Sequence, residues 1–170
     1  MNGSSISHHQ TPRIVAALFL ATATALARDN QCADCRIVIS IPDHKLALLD
    51  GDRFVRLYDV ASGKPSTPTP RGEFRIVNQV AHPTWYGPHG TVPPGASNPL
   101  GTRWMGLSIH GFGIHGTNAP RSIGRNASHG CIRMRNADVE ELFDLVTVGI
   151  PVELMGESSE LFRKPVAETD

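Results

Sequence analysis

Proline and glycine punctuate this chain too densely for a bundle of long helices or a coiled coil. Thirteen prolines and 16 glycines are spread over 170 residues, and a proline inside a helix removes a backbone donor and clashes with the preceding turn. The stretches between them are short and rich in β-branched and apolar residues. Residues 36–41, 46–49, 54–60 and 74–77 read as strands. Asp50-Gly51 reads as a hairpin turn, because glycine tolerates positive φ. Residues 61–70, with Pro65, Pro68 and Pro70, read as a loop. Residues 104–110 and 113–115 read as short buried strands, and 151–154 as a last one. Between 82 and 100, five prolines and three glycines leave no regular element, and Trp85 and Tyr86 argue for an ordered lid there.

One helix is expected, over 137–146. Asn136 is the expected N-cap, and Asp138, Glu140 and Glu141 put negative charge at the positive end of the helix dipole. Val139, Leu142, Phe143 and Val146 recur at i, i+3, i+4 and i+7, so one face is buried, and Gly149 and Pro151 end the run. The architecture is therefore mostly β with one short α-helix. At 40% hydrophobic and 19% charged residues the chain can fill a core. Its 16 basic and 16 acidic residues cancel, which argues against nucleic acid as a partner, since that binding needs a basic excess.

The first 27 residues differ from the rest. Arg13 precedes the apolar run 14–20, and small residues lead to Ala25-Leu26-Ala27. This is the pattern of a secretory signal peptide, too short to span a bilayer comfortably; an uncleaved N-terminal anchor is the alternative. Cleavage after Ala27 leaves an exported chain, in the periplasm or cell wall, with no membrane segment. It would comprise a short segment 28–35, a domain over 36–155 and a tail from Gly156 that reads as frayed. Cys32 and Cys35 form a C-x-x-C in the short segment. An apparent strand follows the pair, where a redox motif needs a helix, so a small structural disulfide or an idle pair is the better reading.

Cys131 is then the odd thiol. It lies in Ser128-His129-Gly130-Cys131-Ile132-Arg133, downstream of Ile114-His115-Gly116-Thr117. A lone cysteine flanked by glycine and histidines suggests a nucleophile, because an adjacent imidazole can stabilise or generate the thiolate. The amides of Gly130 and Cys131 are candidates to face a developing oxyanion. Two histidines compete as base. His129 is two residues away, which in extended chain puts both side chains on one face; His115 lies sixteen positions upstream on an apparent neighbouring strand. Spacing alone does not choose between them.

The two blocks together resemble the YkuD-type L,D-transpeptidase catalytic domain. The resemblance extends to Gly63-Lys64 through Thr67-Pro68-Thr69-Pro70, Gly72-Glu73-Phe74, Val92-Pro93-Pro94-Gly95, Asn98–Trp104 and the helix start at Asn136, most of the chain from Arg36 to Leu154. It implies a mostly β, sandwich-like fold and chemistry on peptidoglycan stem peptides, as donor and as acceptor, with no cofactor. It implies Cys131 as nucleophile and His115 as base, oriented by the carbonyl of Gly116. Ser128 would buttress the nucleophile loop, His129 and Gly130 would support it, and Arg133 would meet a substrate carboxylate. The implied reaction is acyl transfer through a thioester, releasing D-Ala; with water as acceptor it becomes a carboxypeptidase. Two rival readings are a metal site drawn from His110, His115, His129 and Cys131, and a silent wall-binding module. No metal-binding spacing such as H-E-x-x-H supports the first.

Overall fold

A computed structural model describes residues 34–88 and 90–162. The expected leader, Cys32 and the end of the tail lie outside the described residues. The chain starts as a meander, β1 (Cys35–Ser40), β2 (Lys45–Asp50) and β3 (Arg53–Asp59), paired antiparallel. Gly51 turns between the last two at φ 58°. There follow β4 (Ser62–Gly63), β5 (Gly72–Ala81), β6 (Trp85–Gly87), β7 (Gly90–Val92), β8 (Arg103–Leu107) and β9 (Gly113–His115). The chain closes with β10 (Asn126–Ser128), β11 (Ile132–Arg133), α1 (Asn136–Leu145) and β12 (Pro151–Met155). The expectation of a mostly β, sandwich-like fold with one short helix after the Cys131 loop is borne out.

Eight strands form one sheet in the order β11-β9-β8-β5-β12-β1-β2-β3. The long strand β5 curls it. Its first half, Gly72 to Arg75, pairs with β12, its second half pairs with β8, and the register shifts between Ile76 and Asn78. A bulge of this kind bends the strand and raises the local twist. The two halves thus wrap one core in which Ile37, Ile39, Leu46 and Leu48 share a cluster with Met105, Ile114 and Ile132 and with Val139 and Leu142 of the helix. Each such side chain contributes about 1.5–3 kcal/mol by leaving water.

β1 is apolar on successive residues because both its faces are covered. Ile37 and Ile39 enter the main core, while Val38 joins Ala47 and Leu49 in a second cluster capped by Leu161 and Phe162. The tail is therefore not frayed as far as Phe162: a 3-10 turn at Glu160–Phe162 packs there, and the Ser159 N–H donates to Asp43 Oδ2 at 3.1 Å. Cys35 is buried and disulfide-bonded, whereas Cys131 carries a free thiol.

Three further expectations need correction. The segment 82–100 does contain a regular element, the hairpin β6–β7; its prolines fall outside the paired positions, with Pro83 before them, Pro88 at the turn and Pro93 after. Ser62 and Gly63 are strand rather than loop, paired in parallel with β10. The helix N-cap is Arg135, which makes no side-chain cap bond. Asn136 instead turns its Oδ1 to the Thr117 N–H at 3.0 Å, tying the helix to the H-G-T segment. At the other end Gln79 Nε2 donates to the Val146 carbonyl at 3.0 Å. β5 therefore has the helix on its Gln79 face and presents Asn78 and Val80 to the opposite side.

Candidate active site

The cross-strand register on that opposite side sets out the site in two rows. Val80, Trp104, His115 and Arg133 are successive partners across β5, β8, β9 and β11. The adjacent row is Asn78, Gly106 and Gly113. Cys131 immediately precedes Ile132, the partner of Ile114, and so comes alongside Gly113. Ile114 and Ile132, between the rows, point into the core. Alternation puts His115 and Arg133 on one face. Cys131, in the bend just before β11, has its Sγ 3.7 Å from the Gly111 carbonyl, and the Arg133 charge acts on both His115 and Cys131. A cleft of about 700 Å³ opens over this face, bounded by Cys131, Gly111 and Trp104 on one side and by Trp85 and Tyr86 of the hairpin on the other.

His115 is buried, at 4% exposure. Its Nδ1 lies 2.6 Å from the Gly116 carbonyl, an acceptor only, so Nδ1 carries the proton and Nε2 is left with its lone pair. Its ring stacks on Trp104 with centroids 5.7 Å apart and planes 26° from parallel. Burial pushes its pKa down to about 4, with a smaller push from the Arg133 charge, against the carbonyls of Gly116 and Leu100. Burial likewise pushes the Cys131 thiol up, opposed by the Gly113 amide and by Arg133. At neutral pH the site holds a thiol and a neutral imidazole, the starting state for general-base activation. The Arg133 guanidinium is half-buried, lowered by that burial, and its Nε is enclosed without a hydrogen-bond partner among the described residues.

The loop before Cys131 is pinned at each peptide. Ser128 Oγ donates to the Cys131 carbonyl at 2.6 Å and accepts the Gly130 N–H at 3.0 Å. The Gly130 amide is thereby occupied, which removes it as an oxyanion donor and corrects that expectation. Thr69 Oγ1 donates to the Gly130 carbonyl at 2.9 Å and accepts the Gly63 N–H at 2.8 Å. Since a trans peptide is planar, holding the Gly130 carbonyl fixes the opposite direction of the Cys131 N–H. Gly130 itself sits at φ 113°, and a Cβ there would stand 2.5 Å from the Phe112 ring.

His129 departs from the expectation of support for the loop. Gly130 breaks the extended geometry that would have aligned it with Cys131, and the side chain is exposed. The loop's bracing runs through Ser128 and Thr69 instead. The metal reading fails on placement: among the described residues no three His, Cys, Asp or Glu side chains converge on a point. Thr69 falls in a segment that carries the family resemblance, but its type and place give it no role there, since a threonine between two prolines reads as loop.

Residues 34–154 match the L,D-transpeptidase catalytic domain family, YkuD. The chain belongs to that family. Over 119 residues it is 44% identical to the YkuD protein of Bacillus licheniformis, covering 70% of this chain and 64% of the relative. Over 118 residues it is 41% identical to YkuD of Bacillus subtilis strain 168, covering 69% and 64%. The matched stretch thus spans just under two thirds of each of these relatives. Among solved structures, the catalytic domain of an Enterococcus faecium L,D-transpeptidase superposes with a TM-score of 0.59 at 29% identity, covering 72% of this chain and 97% of that domain. The match therefore takes in the curled sheet and its helix, and residues 1–33 and 155–170 lie outside it.

Proposed function

We propose that this chain is an exported cysteine acyltransferase that works on peptidoglycan stem tetrapeptides through a thioester on Cys131. The observation that carries the reading is the cross-strand row Trp104, His115 and Arg133 together with Cys131 at the wall of the cleft that Trp104 also lines, under the charge of Arg133. His115 Nε2 takes the thiol proton as the sulfur attacks the carbonyl of the stem's third residue. The Cys131 N–H, aimed by Thr69 through the Gly130 carbonyl, donates to the oxyanion, an interaction worth about 3–4 kcal/mol in comparable sites. Collapse breaks the C–N bond, and His115 returns the proton to the departing D-Ala amine. An amine of a second stem peptide then attacks the thioester and gives a proton to His115, which returns it to the departing Cys131 sulfur, leaving a new amide and a free thiol. Arg133, with its enclosed unpartnered Nε, is suited to a donor carboxylate by charge-assisted hydrogen bonds. The leader read over residues 1–27 would bring the site to the compartment where that polymer lies.

The test is incubation of the purified chain with a disaccharide-tetrapeptide, followed by mass analysis. A cross-linked dimer with a transient adduct on Cys131 is the expected result. Tripeptide alone would make the protein a hydrolase of the same bond, and unchanged substrate with an unmodified Cys131 would remove the reading.

A further inference from the structure

One polar side chain in the cleft has no part in the acyl transfer just described. Asn78 stands where the register of β5 shifts, and it lines the cleft. Its Oδ1 accepts two hydrogen bonds, from Trp104 Nε1–H at 3.0 Å and from the Gly106 N–H at 3.2 Å. Two donors on one oxygen fix the amide's orientation, because the flipped form would set its NH2 against two N–H groups. The neighbours are cut to suit this contact. A Cβ at residue 106 would come within 2.7 Å of Asn78 Oδ1, and one at residue 113 within 2.6 Å of Trp104 Cη2. Glycine at both places lets the indole lie down across the floor of the cleft, its N–H on Asn78 and its face on the His115 ring.

We propose that Asn78 is a positioning residue for His115, acting through Trp104: it anchors the indole whose face holds the imidazole and screens it from the cleft. The proposal deepens the acyl-transfer reading and rests on it for the role of His115 as base. The carbonyls of Gly116 and Leu100 hold the imidazole at its nitrogens, but in-plane bonds leave the ring face to be held by packing. Trp104 is half-buried, is the direct cross-strand partner of His115, and also lines the cleft. Without its anchor the indole is free to swing outward, which loosens the base and admits water to it. Both consequences are measurable, and a general loss of stability would produce neither by itself.

The experiment follows the titration of His115 by NMR in protein labelled with 15N-histidine, in the unsubstituted chain, Asn78→Ala, Trp104→Phe and the double variant. Trp104→Phe keeps a six-membered ring against His115 and deletes the five-membered ring that carries the indole N–H. Burial holds the unsubstituted imidazole near 4; each single variant is expected to move it upward by about one pH unit as water returns. The double variant should move it no further than the larger single shift, because the two residues act through one contact. The rate of Cys131 acylation by the tetrapeptide should fall about tenfold in each single variant, with KM within about twofold. An unmoved titration in Asn78→Ala, or shifts that add in the double variant, overturns the proposal. Should Asn78→Ala fail to fold, an unmoved titration in Trp104→Phe overturns it equally. Failure of the acyl-transfer reading is recognised separately, as an unsubstituted chain that is never acylated while the titration shifts persist.

Discussion

At one end of the curled sheet, β1 and β2 fill both faces with isoleucine, leucine and valine. At the other, β8 and β9 alternate a core side chain with a glycine or an aromatic ring: Trp104, Met105, Gly106 and then Gly113, Ile114, His115. The first arrangement removes as much apolar surface from water as a strand can. The second gives up one face, where two glycines and a stacked pair make a floor instead of a core. The meander half thus gives both faces to burial, while the cleft half keeps one face in the shared core and gives the other to chemistry. The shared strand β5 belongs to both, with a register shift at the changeover.

If that division holds, substitutions in the two halves should fail in different ways. The largest effect belongs to the cleft half. Cys131→Ala should abolish acyl transfer, and His115→Ala should lower the acylation rate by about 10²–10⁴-fold, with His129→Ala close to the unsubstituted protein because that side chain is exposed. Stopped-flow acylation together with thermal melts checks this; equal losses from His115→Ala and His129→Ala would undo the choice of base. In the other half, Leu48→Ala should cost about 2–5 kcal/mol of stability. Leu48 is fully buried and far from the cleft in sheet order, so kcat of the folded fraction should not move. A large kcat loss there would mean the halves are not separable.

The next effect is set by pH and arises in the cleft half alone. His115 titrates at about 4 when folded, against about 6.5 in an unfolded chain. Between those values the unfolded state binds the proton and the folded state resists it, so stability is complete above about pH 6.5 and declines as pH falls toward 4. The loss amounts to about 3 kcal/mol. Denaturant unfolding at pH 7 and pH 4 should show it, and His115→Gln should remove most of it. Asp59, whose carboxyl is lowered first by the Lys45 hydrogen bond, works below this window and does not mimic the effect.

The same division explains what the amino-acid sequence discloses. The core half is legible because periodicity and β-branching report burial directly: the three strands of the meander and the buried face of the helix follow from Ile37, Ile39, Leu46, Val139 and Leu142. Cys131 and His115 are legible as reactive residue types in a compact block. The bracing is not. Thr69 holds Gly130 across 61 positions; the resemblance of its loop to the family marks the segment, but not this use of the hydroxyl. Asn136 has the composition of a cap yet serves Thr117, because a side chain chooses among acceptors and donors that only the tertiary fold brings within reach. The oxyanion expectation for Gly130 failed for a similar reason, since Ser128 had already taken its N–H.

Thr69 therefore gives the smallest and most discriminating test. Thr69→Val keeps the shape and deletes the hydroxyl, leaving the Gly63 N–H and the Gly130 carbonyl unpaired in a buried position. One unsatisfied buried group costs about 1–3 kcal/mol, so the melting temperature should drop modestly. If Thr69 were only structural, acylation by the folded protein would be unchanged. But the Gly130 carbonyl and the Cys131 N–H belong to one rigid peptide, and a carbonyl free to rotate carries the oxyanion donor with it. The expected outcome is a severalfold lower kcat at nearly constant KM, as when an interaction made only in the transition state is weakened. Thr69→Ser, which keeps the hydroxyl, should restore the rate even if it does not restore the stability; a serine variant as slow as the valine variant would detach Thr69 from the chemistry and assign it to the fold alone.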